Sequence, residues 1–190
     1  MKRTAEVSRK TAETDITIKL NLDGSGKCEI NTGFSFMDHM LTLLARHSGV
    51  DLVVKAGGDL THHVIEDIGI VLGECFEKAI GDKKGINRYG TAFIPMDESL
   101  ARCTIDFSGR KALALDLKLN ECDIEDVAVE DIKHFLNSFA ENSKINLHLN
   151  VLYGEDQHHK TEAAFKALAR AIKESITIVS DKIPSTKGVL

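Results

Sequence analysis

Hydrophobic residues recur along this chain with two periods, and the switches between them mark out its elements. Ile16, Ile18, Leu20 and Leu22 alternate with polar neighbours, the period of a half-buried strand. Ahead of them lies the polar lead-in Arg9-Lys10-Thr11-Ala12-Glu13-Thr14. Asp23-Gly24-Ser25-Gly26 predicts a turn and residues 28–30 a return strand, together a hairpin. Phe36, Met37, Met40, Leu41 and Leu44 fall at helical spacing, with Gly49 as the stop. A short strand is predicted over residues 50–55. A longer helix follows, with Val64, Ile65, Ile68, Val71, Leu72, Cys75, Phe76, Ala79 and Ile80 on one face and Gly81 at its end.

The second half runs through a similar order. Residues 92–95 read as a short strand stopped by Pro95, followed by the acidic turn Met96-Asp97-Glu98. Ala101, Cys103, Ile105 and Phe107 alternate, Ser108-Gly109-Arg110 turns, and residues 112–119 return. Val129, Ile132, Phe135, Leu136 and Phe139 mark a helix. Leu147, Leu149, Val151 and Tyr153 then share one face of a strand, which turns His148 to the other face with Asn146 and Asn150. A final helix buries Phe165, Leu168, Ile172 and Ile176. The expected fold is α+β, a tandem duplication of two similar units, roughly residues 1–90 and 91–180. Each is a sheet with helices packed on one face, and the two share one core within a single domain over 1–190.

Each long helix opens on the same motif. His62-His63-Val64-Ile65-Glu66-Asp67 returns as His158-His159-Lys160-Thr161-Glu162, 158 − 62 = 96 positions later. On a helix the Glu stands one turn beyond its histidines and shares their face. Adjacent histidines diverge by roughly 100°, so each pair is expected to reach toward two different ions. Four of the eight histidines sit in these pairs. His39 lies beside the first helix's apolar stripe, where a lone histidine is more often a satisfied core residue than a ligand. Lys166 falls on the face of His159 and Glu162, where it could hold an anionic group.

Composition narrows the rest. The chain has 190 residues, 43% of them hydrophobic and 28% charged, with a net charge of −5 and no basic block. That argues against nucleic acid or an anionic membrane as partner. Residues 1–6 carry no apolar signal core, and no run approaches a membrane span, so cytoplasmic residence is expected. Cys28, Cys75, Cys103 and Cys122 form no CxxC pair and read as small hydrophobes or free thiols. A metal among His and carboxylate would be Mn, Fe, Zn or Ni rather than a thiolate-bound ion.

Several further stretches, in order, give the chain a family likeness. These are residues 9–14, Phe36-Met37-Asp38-His39-Met40-Leu41, the first HHxxED, Arg88-Tyr89-Gly90 and Pro95-Met96-Asp97-Glu98. Ser108-Gly109-Arg110, the second HHxxE and Pro184-Ser185-Thr186-Lys187-Gly188 complete the set. Together they make the chain resemble the imidazoleglycerol-phosphate dehydratases over nearly its whole length. The resemblance implies manganese-dependent dehydration of imidazoleglycerol phosphate to imidazole acetol phosphate in histidine biosynthesis. It also implies two Mn²⁺ per active site, other divalent metals being compatible, and a homo-oligomer, a 24-mer, with active sites between subunits.

Carried onto these positions, the resemblance gives His39, His62, His63, Glu66, His148, His158, His159 and Glu162 as metal ligands. Arg88, Arg110, Lys166, Ser185, Lys187 and His47 would hold the phosphate. Glu13 would be the proton-shuttling carboxylate. Two cations on the imidazole would favour its anion, which could expel the neighbouring hydroxyl and so acidify the adjacent proton.

Three positions depart from the family pattern. Thr61 alone separates Gly58-Asp59-Leu60 from the first pair, where the family usually has several residues, often with Asp. Gln157 stands where Glu is frequent, and Leu43 where Gln is common. Two rival readings remain at this point, a dinuclear hydrolase and a metal-buffering shell. The hydrolase does not require Lys166, Arg88, Arg110 or the tail at residues 184–188, and the buffer leaves Glu13 and the phosphate residues idle.

Overall fold

The computed structural model describes residues 2–188. Two four-stranded sheets of identical topology enclose a layer of four helices. The first unit comprises β1 (Thr4–Lys10), β2 (Thr14–Asn21), β3 (Cys28–Asn31), α1 (Ser35–Ser48), β4 (Asp51–Gly58) and α2 (Thr61–Ile80). The second comprises β5 (Tyr89–Met96), β6 (Ser99–Asp106), β7 (Ala112–Asp116), α3 (Val129–Asn142), β10 (Asn146–Tyr153) and α4 (Gln157–Ile176). Between β7 and α3 it inserts a small ribbon, β8 (Asp123–Ile124) and β9 (Val127–Ala128). The sheet orders are β1-β2-β4-β3 and β5-β6-β10-β7, so the expected duplication is present strand for strand.

Both expected hairpins are corrected, and in the same way. β3 pairs with β4 in parallel, and β7 pairs with β10 in parallel, rather than each folding back on the strand before it. A helix follows each of these strands and carries the chain back in the original direction. The returning strand fills the slot between its parallel partner and the preceding antiparallel strand. The link around Gly24 therefore spans a strand's width, with Asp51 accepting from the Ser25 and Lys27 amides at 2.8 and 3.0 Å. Ser108 plays the matching part by donating to Asn146 at 3.2 Å. Asp51 and Asn146 are the first residues of the two intervening strands.

Two smaller differences concern edge strands. β1 precedes the polar lead-in, overlapping it only at Arg9 and Lys10, and has little sequence signal because Val7 is its one buried residue. β5 runs through Pro95 to Met96; a proline is tolerated there because β5 is an edge strand.

The helices bury their apolar stripes between the sheets. α2 packs on β1, β2 and α3, while α4 packs on β5, β6 and α1. Phe76, Phe135, Phe139 and Phe165 interleave at the centre, their ring centroids 5.4 to 6.3 Å apart. α2 and α3 approach closely at Gly69 and Gly73, where an added Cβ would lie 2.7 Å from Phe135 O and from Asn142 Cβ. That approach brings the start of α2 within reach of α3. An alanine in a helix interior normally stabilises by about 1 kcal/mol over glycine. Here the sign should reverse: Gly69→Ala is expected to cost about 1–3 kcal/mol from overpacking, read from the urea midpoint. A stabilised variant would contradict the close approach.

Candidate metal centre

Each HHxxE motif occupies the first turns of its helix, and its first histidine meets a histidine from a different helix. His39 sits in the second turn of α1, whose N-terminus is tied to the other unit. Asp126, in the turn between β8 and β9, accepts from the Ser35 and Phe36 amides at 2.6 and 2.9 Å. The Phe36 ring packs edge-on against His158 at 5.1 Å. Thus held, His39 Nε2 lies 2.7 Å from Glu162 Oε1, with His158 Nε2 3.3 Å from the same oxygen. His39, His158 and Glu162 form one cluster whose donor atoms all lie within 4.8 Å of one another.

The second cluster mirrors it. His62 and Glu66 of α2 meet His134 of α3 within the same limit. The rings of His62 and His134 are 4.7 Å apart, and His62 Nε2 is 3.8 Å from Glu66. Each cluster is thus one imidazole from a shorter helix over the His-x-x-x-Glu of a longer one. Two imidazoles and a carboxylate suit a borderline or hard divalent ion with coordination positions to spare. Burial disfavours the thiolate at two of the cysteines, pushing Cys75 up to about 12 and raising Cys103 as well.

All four paired histidines have a carboxylate on Nδ1. His62 is held by Asp131 at 2.8 Å, His63 by Asp59 at 2.9 Å, His158 by Glu125 at 3.2 Å and His159 by Glu98 at 2.8 Å. A carboxylate on Nδ1 keeps the proton there and leaves the Nε2 lone pair for an ion, the usual outer support of a metal-bound imidazole. The Glu98 carboxyl is held below its usual range by the Asp156 amide and then by His159. Asp59 in turn raises His63, and Glu98 raises His159. The second members of the pairs diverge from the first, with ring planes 62° and 81° apart. Neither His63 nor His159 belongs to a cluster among the described residues. Glu13 stands beside this arrangement, its Oε2 3.7 Å from His63 Nδ1.

Not every expected ligand arrives. His148 stands exposed on the outer face of the second sheet, opposite Thr104 and Ala114, and joins neither cluster among the described residues. His134 takes the place that sequence reasoning gave to no residue. The duplication held the signal: His39 precedes the first pair by 62 − 39 = 23 residues and His134 the second by 158 − 134 = 24, each followed by an apolar residue and Leu. The partner of Glu162 is also His158, at i−4, rather than His159. The short lead-in leaves α2 with no side-chain cap, whereas Asp156 caps α4. Asp59 serves His63 from that lead-in.

The expected phosphate residues fall into separate groups. His47 and Lys166 lie near Glu162: burial, followed by the charges of Lys166 and Arg170, lowers His47. Arg88 is engaged by Asp106 at 2.6 Å, donates to Pro184 O at 2.8 Å and stacks on Tyr89. It thereby anchors the tail that carries Ser185 and Lys187. Arg110 is exposed beyond β6.

A family model described as imidazoleglycerol-phosphate dehydratase matches residues 32–172. The enzyme of that name from Chloroherpeton thalassium is 51% identical over 192 residues, covering 100% of this chain and 99% of the relative. That from Listeria monocytogenes is 51% identical over 193 residues, covering 99% of this chain and 100% of the relative. Among solved structures, imidazoleglycerol-phosphate dehydratase from Staphylococcus aureus superposes with a TM-score of 0.85 at 38% identity, covering 93% of this chain and 99% of that one. The Pyrococcus furiosus enzyme gives 0.81 at 36%, covering 97% and 100%.

The Nδ1 carboxylates give a direct prediction. Asp131→Asn and Glu98→Gln should leave the circular dichroism spectrum unchanged yet lower divalent-metal affinity about 10- to 100-fold, measured by titration calorimetry. Unchanged affinity would show that these carboxylates do not support ligands.

Proposed function

The chain belongs to the imidazoleglycerol-phosphate dehydratase family, and from that premise we propose that it dehydrates imidazoleglycerol phosphate to imidazole acetol phosphate in histidine biosynthesis. The reading assigns it two divalent cations, manganese by preference. The observation that carries this is the mirrored pair of clusters, His39/His158/Glu162 and His62/Glu66/His134, in which unlike helices converge two imidazoles and a carboxylate. His134 replaces His148 in the proposed ligand set, which keeps six imidazoles and two carboxylates. His63 and His159 complete the set from neighbouring copies, because each diverges from its own chain's cluster with its Nδ1 already held. That requirement favours a homo-oligomer with sites between subunits, for which the family resemblance implies a 24-mer. We place the enzyme in the cytosol; no helix among the described residues is long and apolar enough to cross a membrane.

Two cations held by His39, His158 and Glu162 and by His62, Glu66 and His134 would supply Lewis acidity that lowers the proton affinity of the substrate's imidazole, so that the ring can expel the neighbouring hydroxyl. The chain's own residues do the rest. Glu13, exposed and 3.7 Å from His63, would take the proton of the adjacent carbon and give one to the leaving hydroxyl; its nearness to His63 supports that role. Lys166 and His47, beside the α1/α4 cluster, suit the phosphate, with Arg170 adding charge. Arg88 contributes by fixing the tail through Pro184, which carries Ser185 and Lys187 toward the same task.

Purified protein supplied with Mn²⁺ should yield ketone from imidazoleglycerol phosphate, and EDTA should abolish the turnover. Glu13→Gln should retain metal and assembly while kcat falls about 10²- to 10⁴-fold; undiminished kcat would remove Glu13 from the chemistry. His134→Ala should lose one Mn²⁺ per chain by elemental analysis and His148→Ala none. The reverse result would restore His148 to the ligand set.

A further inference from the structure

The two clusters match in their ligands and differ sharply in their surroundings. One turn beyond Glu162 stands Lys166, whose Nζ lies 2.5 Å from Glu162 Oε2 and 3.0 Å from Met96 Sδ. Shifted back by 96 positions, the equivalent of Lys166 is Ile70 and that of Arg170 is Glu74. His47 lies 47 − 39 = 8 residues beyond its cluster histidine; the residue 8 beyond His134 is Asn142. Three cationic or titratable neighbours of one cluster are thus replaced by an apolar, an acidic and an amide residue around the other. Glu130 adds negative charge there, 3.5 Å from His134 Nε2.

The carboxylates differ accordingly. Glu66 is 40% exposed with no ammonium partner among the described residues, whereas Glu162 is 9% exposed and shared by His39, His158 and Lys166. Both Glu162 oxygens are engaged, Oε1 by His39 at 2.7 Å and His158 at 3.3 Å, and Oε2 by Lys166. An ion lodged between the two imidazoles and Oε1 would therefore share its carboxylate with an ammonium already bound at Oε2, on a helix where Glu followed by Lys at i+4 is the favourable order.

We infer that the two cation sites are inequivalent. The α2/α3 site fills first and tightly, and the α1/α4 site fills more weakly because its carboxylate is shared with the Lys166 ammonium, so that Lys166 is a built-in electrostatic competitor for the second cation. This rests on the dinuclear reading above and extends it.

Mn²⁺ titration of the metal-free full-length protein, with free ion followed by electron paramagnetic resonance, tests this without turnover. Wild type should show one tight and one weaker class per chain. Lys166→Met should tighten the weak class about tenfold or more, while Lys166→Arg, which keeps the positive charge, should preserve the split. His39→Ala should remove the weak class and His134→Ala the tight one. Equal classes in the wild type, a weak class unmoved in Lys166→Met, or the opposite assignment by the two histidine variants would overturn the inference alone. A protein that binds no Mn²⁺ overturns both readings. Split binding without dehydration overturns the proposed function and leaves the inequivalence standing.

Discussion

The site depends on one constraint: a histidine on a shorter helix must lie over the first turn of a longer helix that comes from the other half of the fold or follows it across the core. For His39 that longer helix is α4, and for His134 it is α2, so each cluster joins the two duplicated units. Neither unit builds a cluster alone. The close α2–α3 approach at Gly69 and Gly73 and the Asp126 bracket on α1 fix the distances. The aromatic core of Phe76, Phe135, Phe139 and Phe165 keeps the helices in register. Rigid helices suit such a task, because a loose ligand shell costs affinity and precision.

Around this frame, carboxylates do two kinds of work. Glu66 and Glu162 face the clusters with the imidazoles. Asp131, Asp59, Glu125 and Glu98 stand behind the histidines and set their protons. The four supports come from four different places: a helix start, a strand-to-helix link, the β8–β9 turn and the β5–β6 turn. The duplication therefore copied the helices and their motif, while the outer support was assembled separately on each side. Lys166 shows the same divergence within the helices themselves.

The amphipathic periods made the helices legible, and their order revealed the duplication, because both are local signals written at fixed spacing. Strand pairing was less legible. The turn signals at Gly24 and Gly109 are real, but which strand lies beside which is decided by the crossover that follows, several tens of residues on. β1 has little signal in the sequence because an edge strand with one buried side chain has almost no alternation to display. Among the candidate ligands, the paired histidines are the most legible in the sequence. His148 looked better than His134 because a histidine turned away from an apolar row reads as available, whereas His134 sat unremarked within a helical stripe. Convergence in space reverses that ranking: His134 meets His62 and Glu66, and His148 faces outward from the sheet.

The central claim is that two mirrored helix crossings each hold one divalent cation. Anomalous diffraction at the manganese edge from crystals grown with Mn²⁺ tests it most directly. The account predicts two strong peaks per chain, one bound by His39, His158 and Glu162 and the other by His62, Glu66 and His134. A single peak, or peaks ligated by His148 with either cluster bare, would contradict it.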